Sequence, residues 1–600
     1  MKAAQYVAEF LASHGVTHNF MVTGGGAMHL NDAFGHHGGI RNIFNHNEQG
    51  CAIAAEAYAR VTGKIASVCV TSGPGGTNAI TGVMGGWLDS IPMFVVSGQV
   101  KRETTLWSVP ELKLRQLGDQ EFDIIHSVSN MTKYAVMVTE VNDIAYHLEK
   151  AWYLANHGRK GPVWLDIPLD VQGAPIDMDA LRHFDPEELA FERIPAMTDA
   201  QAEEILNKIS KAKAPLIFAG YGVRLSDSAD MLLKLVDKLH IPVAVAWNSG
   251  DLIAYDNPYY AGSPSREGTR GSSFIVQNCD LLLVLGSRMS IRTITYNKHD
   301  FAKNAYKIAV DVDADELRKP TFVPDMPIHA DVHQAMELLL QKTYTPNPAH
   351  TPWVQWCREM VEKYPAVLPE YHTVDGPLNP YVFVDELFKH TDEKDILTLG
   401  NGSACVMTFQ ACKIKQGQRM FTNGGCAAMG YGMPAAVGAA VAVMAENGRV
   451  LCIDGDGSLM MNVQELQTIS YNQLNVKLFV LNNNGYHSIR QTQRNLFQPP
   501  FIGLDKETGV GFPNFAKLAD AFGFAYYRLD NEPDCADVIG KVMATAGPVL
   551  CEAVVDPGQN FVPKLSSKVL PDGRIVSPSM DDMFPFLPRD EYESNRYNPE

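Results

Sequence analysis

The chain has 600 residues, 46% of them hydrophobic and 20% charged, a soluble globular profile with room for about three or four domains. Its formal net charge of −18 argues against a general nucleic-acid or anionic-membrane binder, because no basic field draws in polyanions. No run of 18 apolar residues marks a membrane span, no leader pattern opens the chain, and the ten cysteines lack a C-x-x-C pair, so they read as free thiols in a reducing compartment, by default the cytoplasm.

Residues 3–14 form an amphipathic segment. Beyond it, strand-like apolar runs recur at 66–70, 93–96, 216–219, 281–285, 450–453 and 476–481, most of them followed by a glycine-rich turn and a helical pattern. Buried strands alternating with helices predict an α/β chain of doubly wound parallel sheets. Ligands in such folds sit at the carboxyl ends of strands, where the glycine turns lie. Two proline-broken stretches, 177–198 and 343–352, read as linkers. They predict domains at 1–176, 198–343 and 375–556, followed by an arm at 557–600 that loses the alternation. That arm reads as a surface arm, an active-site cover or an ordered strap.

Asp454-Gly-Asp-Gly-Ser458 stands between an apolar strand and a predicted helix at 460–471. Such a turn lets the backbone approach a phosphate, and a helix N-terminus favours negative charge. The next strand ends in Leu481-Asn-Asn-Asn484, so one strand-helix-strand unit brings Asp456 and Asn483 to the same sheet edge. Their side chains offer hard oxygen ligands, and a backbone carbonyl near Gly485 offers a third. Diphosphate oxygens and water complete an octahedral Mg²⁺ shell. The plain alternative is a Gly-Asp turn and an Asn-rich loop.

Residues 455–483 resemble the thiamine-diphosphate signature, and residues 2–556 resemble the acetohydroxyacid synthase (acetolactate synthase) group. The resemblance implies three α/β domains: an N-terminal pyrimidine-binding domain, a central domain that often holds FAD, and a C-terminal domain that binds diphosphate and metal. It also implies a homodimer or homotetramer with thiamine diphosphate between the first domain of one chain and the third of another.

Asn45-His-Asn-Glu-Gln-Gly50, before a predicted helix at 52–60, resembles the family's catalytic-glutamate motif. A carboxyl at Glu48, hydrogen-bonded to the pyrimidine ring nitrogen, drives the tautomer shift that activates the cofactor. A solvated glutamate at a helix start is the plain alternative. Gly424-Gly-Cys-Ala-Ala-Met-Gly-Tyr-Gly-Met-Pro434 resembles the element that bends the cofactor. Met429 takes its bulky position, and the backbone of Ala427 and Met429 meets the pyrimidine edge. The loop from Thr71 to Asn78, with Pro74, resembles the one beside the pyrimidine. The Thr23-Gly-Gly-Gly-Ala27 turn, with Gly25 and Gly26, resembles the substrate-side turn, and Gln120 matches an active-site glutamine. Gly402, Ser403, Gly455, Gly457, Ser458, Tyr486, Ser488 and Ile489 complete the implied thiamine diphosphate contacts. A structural FAD is implied by Gly220, Arg288, Arg292, Asp311 and Asp331.

Two departures bear on substrate. Ser403 and Ala404 replace the family's Gln-His pair after Gly402. Thr492 stands where the family has a tryptophan associated with 2-ketobutyrate, and losing an indole removes a wall of roughly 150–250 Å². The acceptor pocket is therefore expected to be roomier or more polar, with His487, Arg490 and Gln493 as hydrogen-bonding candidates, or, for Arg490, a solvated face. The segment 485–493 and the tail from Leu570 to Ser577 resemble acetolactate-synthase-like enzymes encoded with surface-polysaccharide pathways. Some of these add an acetyl unit from pyruvate to a ketone, including nucleotide-linked keto-sugars.

The expectation is a carboligase taking a 2-keto acid and a carbonyl acceptor, with Glu48, Gln120 and His487 as its catalytic residues. Acetolactate synthase proper, simple decarboxylation or C–C hydrolysis, and a catalytically silent binding protein of the same fold are the alternatives.

Overall fold

A computed structural model describes residues 1–569 and 572–598 of the chain. Three parallel sheets carry the fold, as the strand-helix alternation predicts. The first contains β1 (His18–Met21), β2 (Arg41–Phe44), β3 (Ser67–Val70), β4 (Phe94–Gln99), β5 (Tyr134–Met137) and β6 (Val163–Pro168), in the order β2-β1-β3-β4-β6-β5. The second contains β7 (Pro215–Ala219), β8 (Val243–Val245), β9 (Leu281–Leu285), β10 (Tyr306–Asp311) and β11 (Met326–His329), in the order β11-β10-β9-β7-β8. The third contains β12 (Ile396–Leu399), β13 (Arg419–Phe421), β14 (Val450–Gly455), β15 (Val476–Asn482), β16 (Ala525–Leu529) and β17 (Val549–Val554), in the order β13-β12-β14-β15-β17-β16.

The first and third sheets thus share one winding order. β3, β4, β6, β7, β9 and β12 are buried at every residue, as strands covered on both faces must be. In each sheet the chain runs outward in both directions from its first-laid strand. That reversal leaves a crevice between β1 and β3, between β7 and β9, and between β12 and β14.

One apolar cluster runs from the first unit into the third. Its spine is the Glu48–Thr62 helix, flanked by the Pro74–Asp89 and Gly432–Ala442 helices. A Cβ on Gly82 would stand 2.5 Å from that of Ala52, and one on Gly438 would stand 1.9 Å from the Ala54 carbonyl oxygen. Only glycine allows backbones that close. The Glu48 helix is wedged on two sides.

Local details differ from the sequence reading. The helix expected at 52–60 starts at Glu48, because the Asn47 side chain accepts the Gln49 amide and caps it. The single helix expected at 460–471 is instead the four-residue Asp456–Leu459 helix, a 3₁₀ turn at Met460–Asn462 and the Glu465–Tyr471 helix. The described residues of the arm after residue 556 strap onto the body of the chain. Gln410 Nε2 donates to the Pro563 carbonyl at 2.7 Å, Arg270 to that of Pro585 at 2.6 Å, and Lys363 Nζ to Asn595 Oδ1 at 2.8 Å. Leu570 and Pro571 of the expected tail motif lie outside the described residues. Among the described residues, no helix is long and apolar enough to cross a membrane.

Candidate functional site

At the β1/β3 crevice, the turn after β1 packs on the loop after β3. The Gly26 amide donates to Thr71 Oγ1 at 3.0 Å. Pro74 opens the Pro74–Asp89 helix, and one turn along it Asn78 Nδ2 donates to Glu48 Oε2 at 3.0 Å. Gln120 sits in the left-handed region at φ 61. A Cβ on Gly73, itself at φ 62, would lie 2.5 Å from the Gln120 carbonyl oxygen, so glycine there lets the Gln120 loop close onto the turn. Gly25, Gly26, Glu48, Pro74, Asn78 and Gln120 therefore form one group.

A second group forms at the β12/β14 crevice. β14 and β15 pair with Gly455 opposite Leu481, which sets Asp456 beside Asn483. Asp456 accepts the Gly457 amide at 2.8 Å and the Gly485 amide at 2.9 Å. Burial raises its carboxyl to about 6, against those two bonds and the Arg490 charge. Asn483 Nδ2 donates to Ser403 Oγ at 3.3 Å, while its buried Oδ1 has no partner among the described residues. Asp454 Oδ2 is likewise buried and unpartnered. Gly402, at φ 63, precedes the Ser403–Ala411 helix, and Ser488 Oγ would lie 3.3 Å from a Cβ on it. A Cβ on Gly457 would fall 2.2 Å from the Tyr486 ring. The Gly430 amide, next to Met429, donates to Ser458 Oγ at 2.9 Å. Ile489 is 48% exposed.

Four expectations are corrected here. The helix after the Gly-Asp-Gly turn is four residues long, too short to gather the positive end expected of it; the Ser403–Ala411 helix opens at the same edge. The Ala427 amide already donates to Asn423 O at 2.7 Å, and its carbonyl accepts Asn401 Nδ2, so one carbonyl lone pair is what it has left. Arg490 is neither solvated nor free for an acceptor. It is buried and donates to the Asn483 carbonyl at 3.1 Å and the Asn484 carbonyl at 2.5 Å. Gln493 is tied to both backbone groups of Ile502. His487 lies buried, edge-on to Phe561 of the strap at 5.2 Å. Burial, then the charges of Arg490 and Arg494, lowers its imidazole to about 4, so the ring is neutral at pH 7.

A cavity of about 950 Å³ opens at the β7/β9 crevice, lined by Arg288, Arg292, Asp311 and Asp331. Gly220 is not on its wall. A Cβ there would meet the Gly286 carbonyl oxygen at 2.3 Å, so this glycine serves strand-turn packing rather than ligand approach. Asp331 also caps the helix Val332–Gln341 through the His333 amide. Burial raises the Asp311 carboxyl to about 6. The sequence reading missed Asp89, Arg159, Lys160 and Tyr221, which share this wall. The turn Gly158-Arg-Lys-Gly161 carried a signal for two of them.

Three family models match the chain: the N-terminal TPP-binding domain of thiamine pyrophosphate enzymes over residues 1–127, their central domain over 202–339, and their C-terminal TPP-binding domain over 400–553. Acetolactate synthase isozyme 1 large subunit of Escherichia coli is 30% identical, over 93% of this chain and 95% of its own length. The acetolactate synthase large subunit of Lactococcus lactis is 30% identical, over 95% and 96%. The chloroplastic acetolactate synthase 2 of Nicotiana tabacum is 31% identical, over 94% and 84%. The chain belongs to the thiamine-diphosphate-dependent, acetolactate synthase-like family. As a family member it is an enzyme that uses thiamine diphosphate and acts on 2-keto acids. The silent-protein alternative falls with that assignment.

Proposed function

We propose that this family member is a decarboxylating carboligase. It takes pyruvate as donor and passes the acetyl unit to a ketone or aldehyde acceptor larger than pyruvate. The observation that carries this is Thr492. It is exposed, and its hydroxyl turns back to the Ser488 carbonyl at 3.0 Å, so the side chain builds no wall on the acceptor side of the His487–Leu496 helix. The names of the relatives favour the second reading, acetolactate synthase proper, in which a second pyruvate is the acceptor.

The residues fit the cofactor. Asn483 Oδ1 is buried and unpartnered beside the Asp456 carboxylate, and such an orphan acceptor is costly unless a cation or donor meets it. We assign Mg²⁺ to these two side chains and the Gly485 carbonyl. Gly402, Ser403 and Ser458 border the space for the diphosphate. Thiamine diphosphate, when bound, would supply the sink for the electron pair left behind as CO₂ departs, the pair that then forms the bond to the second carbonyl carbon. Glu48, oriented by Asn78, exchanges a proton with the pyrimidine N1′. Met429 would supply the bulky side chain against which the cofactor is held. Gln120, held on the Gly73 turn, faces the substrate, and a neutral His487 contributes hydrogen bonding rather than charge.

FAD suits the central cavity. Its volume of about 950 Å³ matches a large cofactor site, and Arg288 and Arg292 supply cations for a diphosphate. Its role is structural, since decarboxylation and carboligation move no net electrons. The Glu48 and Asp456 groups complete one site between two chains of a homodimer or higher homo-oligomer. The ten free cysteines fit a reducing cytoplasm.

The test is an acceptor screen on purified enzyme with thiamine diphosphate, Mg²⁺ and pyruvate, comparing pyruvate, 2-ketobutyrate, cyclic ketones and keto-sugars. The expected result is a higher kcat/KM for a larger acceptor. A preference for pyruvate as acceptor returns the chain to acetolactate synthase proper, and no CO₂ from any short 2-keto acid sinks both readings.

A further inference from the structure

A buried chain of polar side chains runs between the central cavity and the Met429 turn, and neither site uses it directly. Arg60, near the end of the Glu48–Thr62 helix, has a fully buried side chain. Its Nε donates to Glu56 Oε1 at 2.6 Å and its Nη2 to Asp89 Oδ2 at 2.7 Å. The other oxygen of Glu56 accepts the Tyr431 hydroxyl at 2.7 Å. The other oxygen of Asp89 accepts the Gly425 amide at 2.9 Å and lies 3.8 Å from Arg288. The Arg60 guanidinium also lies over the Tyr221 ring, 5.1 Å from its centre.

The two ends of this chain are functional surfaces. Asp89, Tyr221, Arg288 and Gly425 line the cavity. Tyr431 lies two residues past Met429, and the intervening Gly430 amide is bound to Ser458. The 425–431 segment is thereby gripped at one end by the cavity wall and at the other by Glu56. Buried ion pairs add little net stability and lose much when one partner is removed. This one is continuous from Asp89 to Tyr431, so its members hold one another's geometry.

We propose that Asp89, Arg60, Glu56 and Tyr431 are positioning residues that tie the cavity wall to the Met429 turn, so that a ligand in the cavity and thiamine diphosphate bind cooperatively. The proposal rests on the reading above that the cavity takes a flavin. A ligand that engages Arg288 fixes Asp89 and Gly425. Through Arg60 and Glu56 it fixes Tyr431, and with it the seat of Met429.

The experiment measures thiamine diphosphate binding by tryptophan fluorescence, with Mg²⁺ present, on flavin-stripped enzyme with and without added FAD. FAD binding is followed separately by flavin fluorescence. In the unsubstituted enzyme FAD is expected to tighten thiamine diphosphate by about fivefold or more, and thiamine diphosphate to tighten FAD by the same factor. Tyr431→Phe removes one hydroxyl and is expected to cut the coupling below about twofold while each ligand alone still binds. Glu56→Gln, in the middle of the relay and off the cavity wall, is expected to do the same and decides the matter if Tyr431→Phe does not fold. FAD that binds without changing thiamine diphosphate affinity overturns the relay and leaves the flavin reading standing. Coupling that survives in both variants overturns the relay as well. An unsubstituted enzyme that does not bind FAD overturns the flavin reading and the relay together.

Discussion

Glu48 and Asp166 show how one chemical group, the carboxyl, does opposite work in two settings. Glu48 sits half-buried at a helix start with one donor, Asn78, open on the side where a cofactor would come. Glu48→Gln keeps the shape and the Asn78 contact but loses the proton. CO₂ release is expected to fall by about 10²–10⁴-fold with the thermal midpoint unchanged; unchanged turnover removes Glu48 from the chemistry. Asp166 lies fully buried on β6, where Ser97 Oγ donates to it at 2.5 Å and Gln99 Nε2 at 3.0 Å. Burial raises it to about 7 against those two bonds. Its folded value is above its unfolded one, so its contribution to stability is full below the unfolded value and is lost as pH rises through about 7. Asp166→Asn has no such slope. Between pH 5 and 8 the thermal stability of the variant is expected to gain on the parent by roughly 3 kcal/mol; parallel pH curves contradict this.

Secondary elements set which of these residues meet. Strand-helix alternation and glycine turns are local patterns, so three parallel sheets and the crevices at their edges were legible in the sequence. The Asp456–Asn483 pairing was legible too, because one strand-helix-strand unit fixes it. What lay beyond reach came from partners far apart in the chain. Arg490 looks like a surface cation in sequence, yet the fold turns it onto the carbonyls of Asn483 and Asn484. Gly220 looks like a ligand-facing glycine, yet its neighbour is the Gly286 turn. The His487–Leu496 helix therefore clamps the Asn483–Asn484 loop, and on the function proposed above it is also the acceptor-side face. Arg490→Ala frees that loop and is expected to weaken Mg²⁺ activation by about 10–100-fold, as loss of a ligand's supporting contact does. An unaltered Mg²⁺ titration separates the clamp from the metal. Thr492→Trp adds a wall to the same helix. It is expected to lower kcat/KM for bulky acceptors by about 10–200-fold relative to pyruvate, and an unchanged ratio places the acceptor elsewhere.

At the scale of the whole molecule, the two six-stranded sheets share one winding order, and each gathers one of the two candidate groups at its own crevice. The Glu48 group and the Asp456 group are each closed by hydrogen bonds among their own members. Within one chain the first and third units meet instead through the Glu48–Thr62 and Gly432–Ala442 helices, and through Glu465, which accepts Asn45 Nδ2 at 2.8 Å and the His46 amide at 3.2 Å. That contact uses the face of the first unit just beside Glu48. On the two-chain site proposed above, a cofactor spanning both groups would draw its Glu48 from a second copy, and a twofold dimer would supply two such sites. Mixing settles it. Glu48→Gln and Asp456→Ala dimers are each expected to be inactive. After subunit exchange, half of the dimers are mixed, and each mixed dimer holds one site with neither substitution and one with both. Activity is expected to return to about a quarter of the parent value. If each site were built within a single chain, every chain in the mixture would carry a defect. The mixture would then stay inactive however long the subunits exchanged.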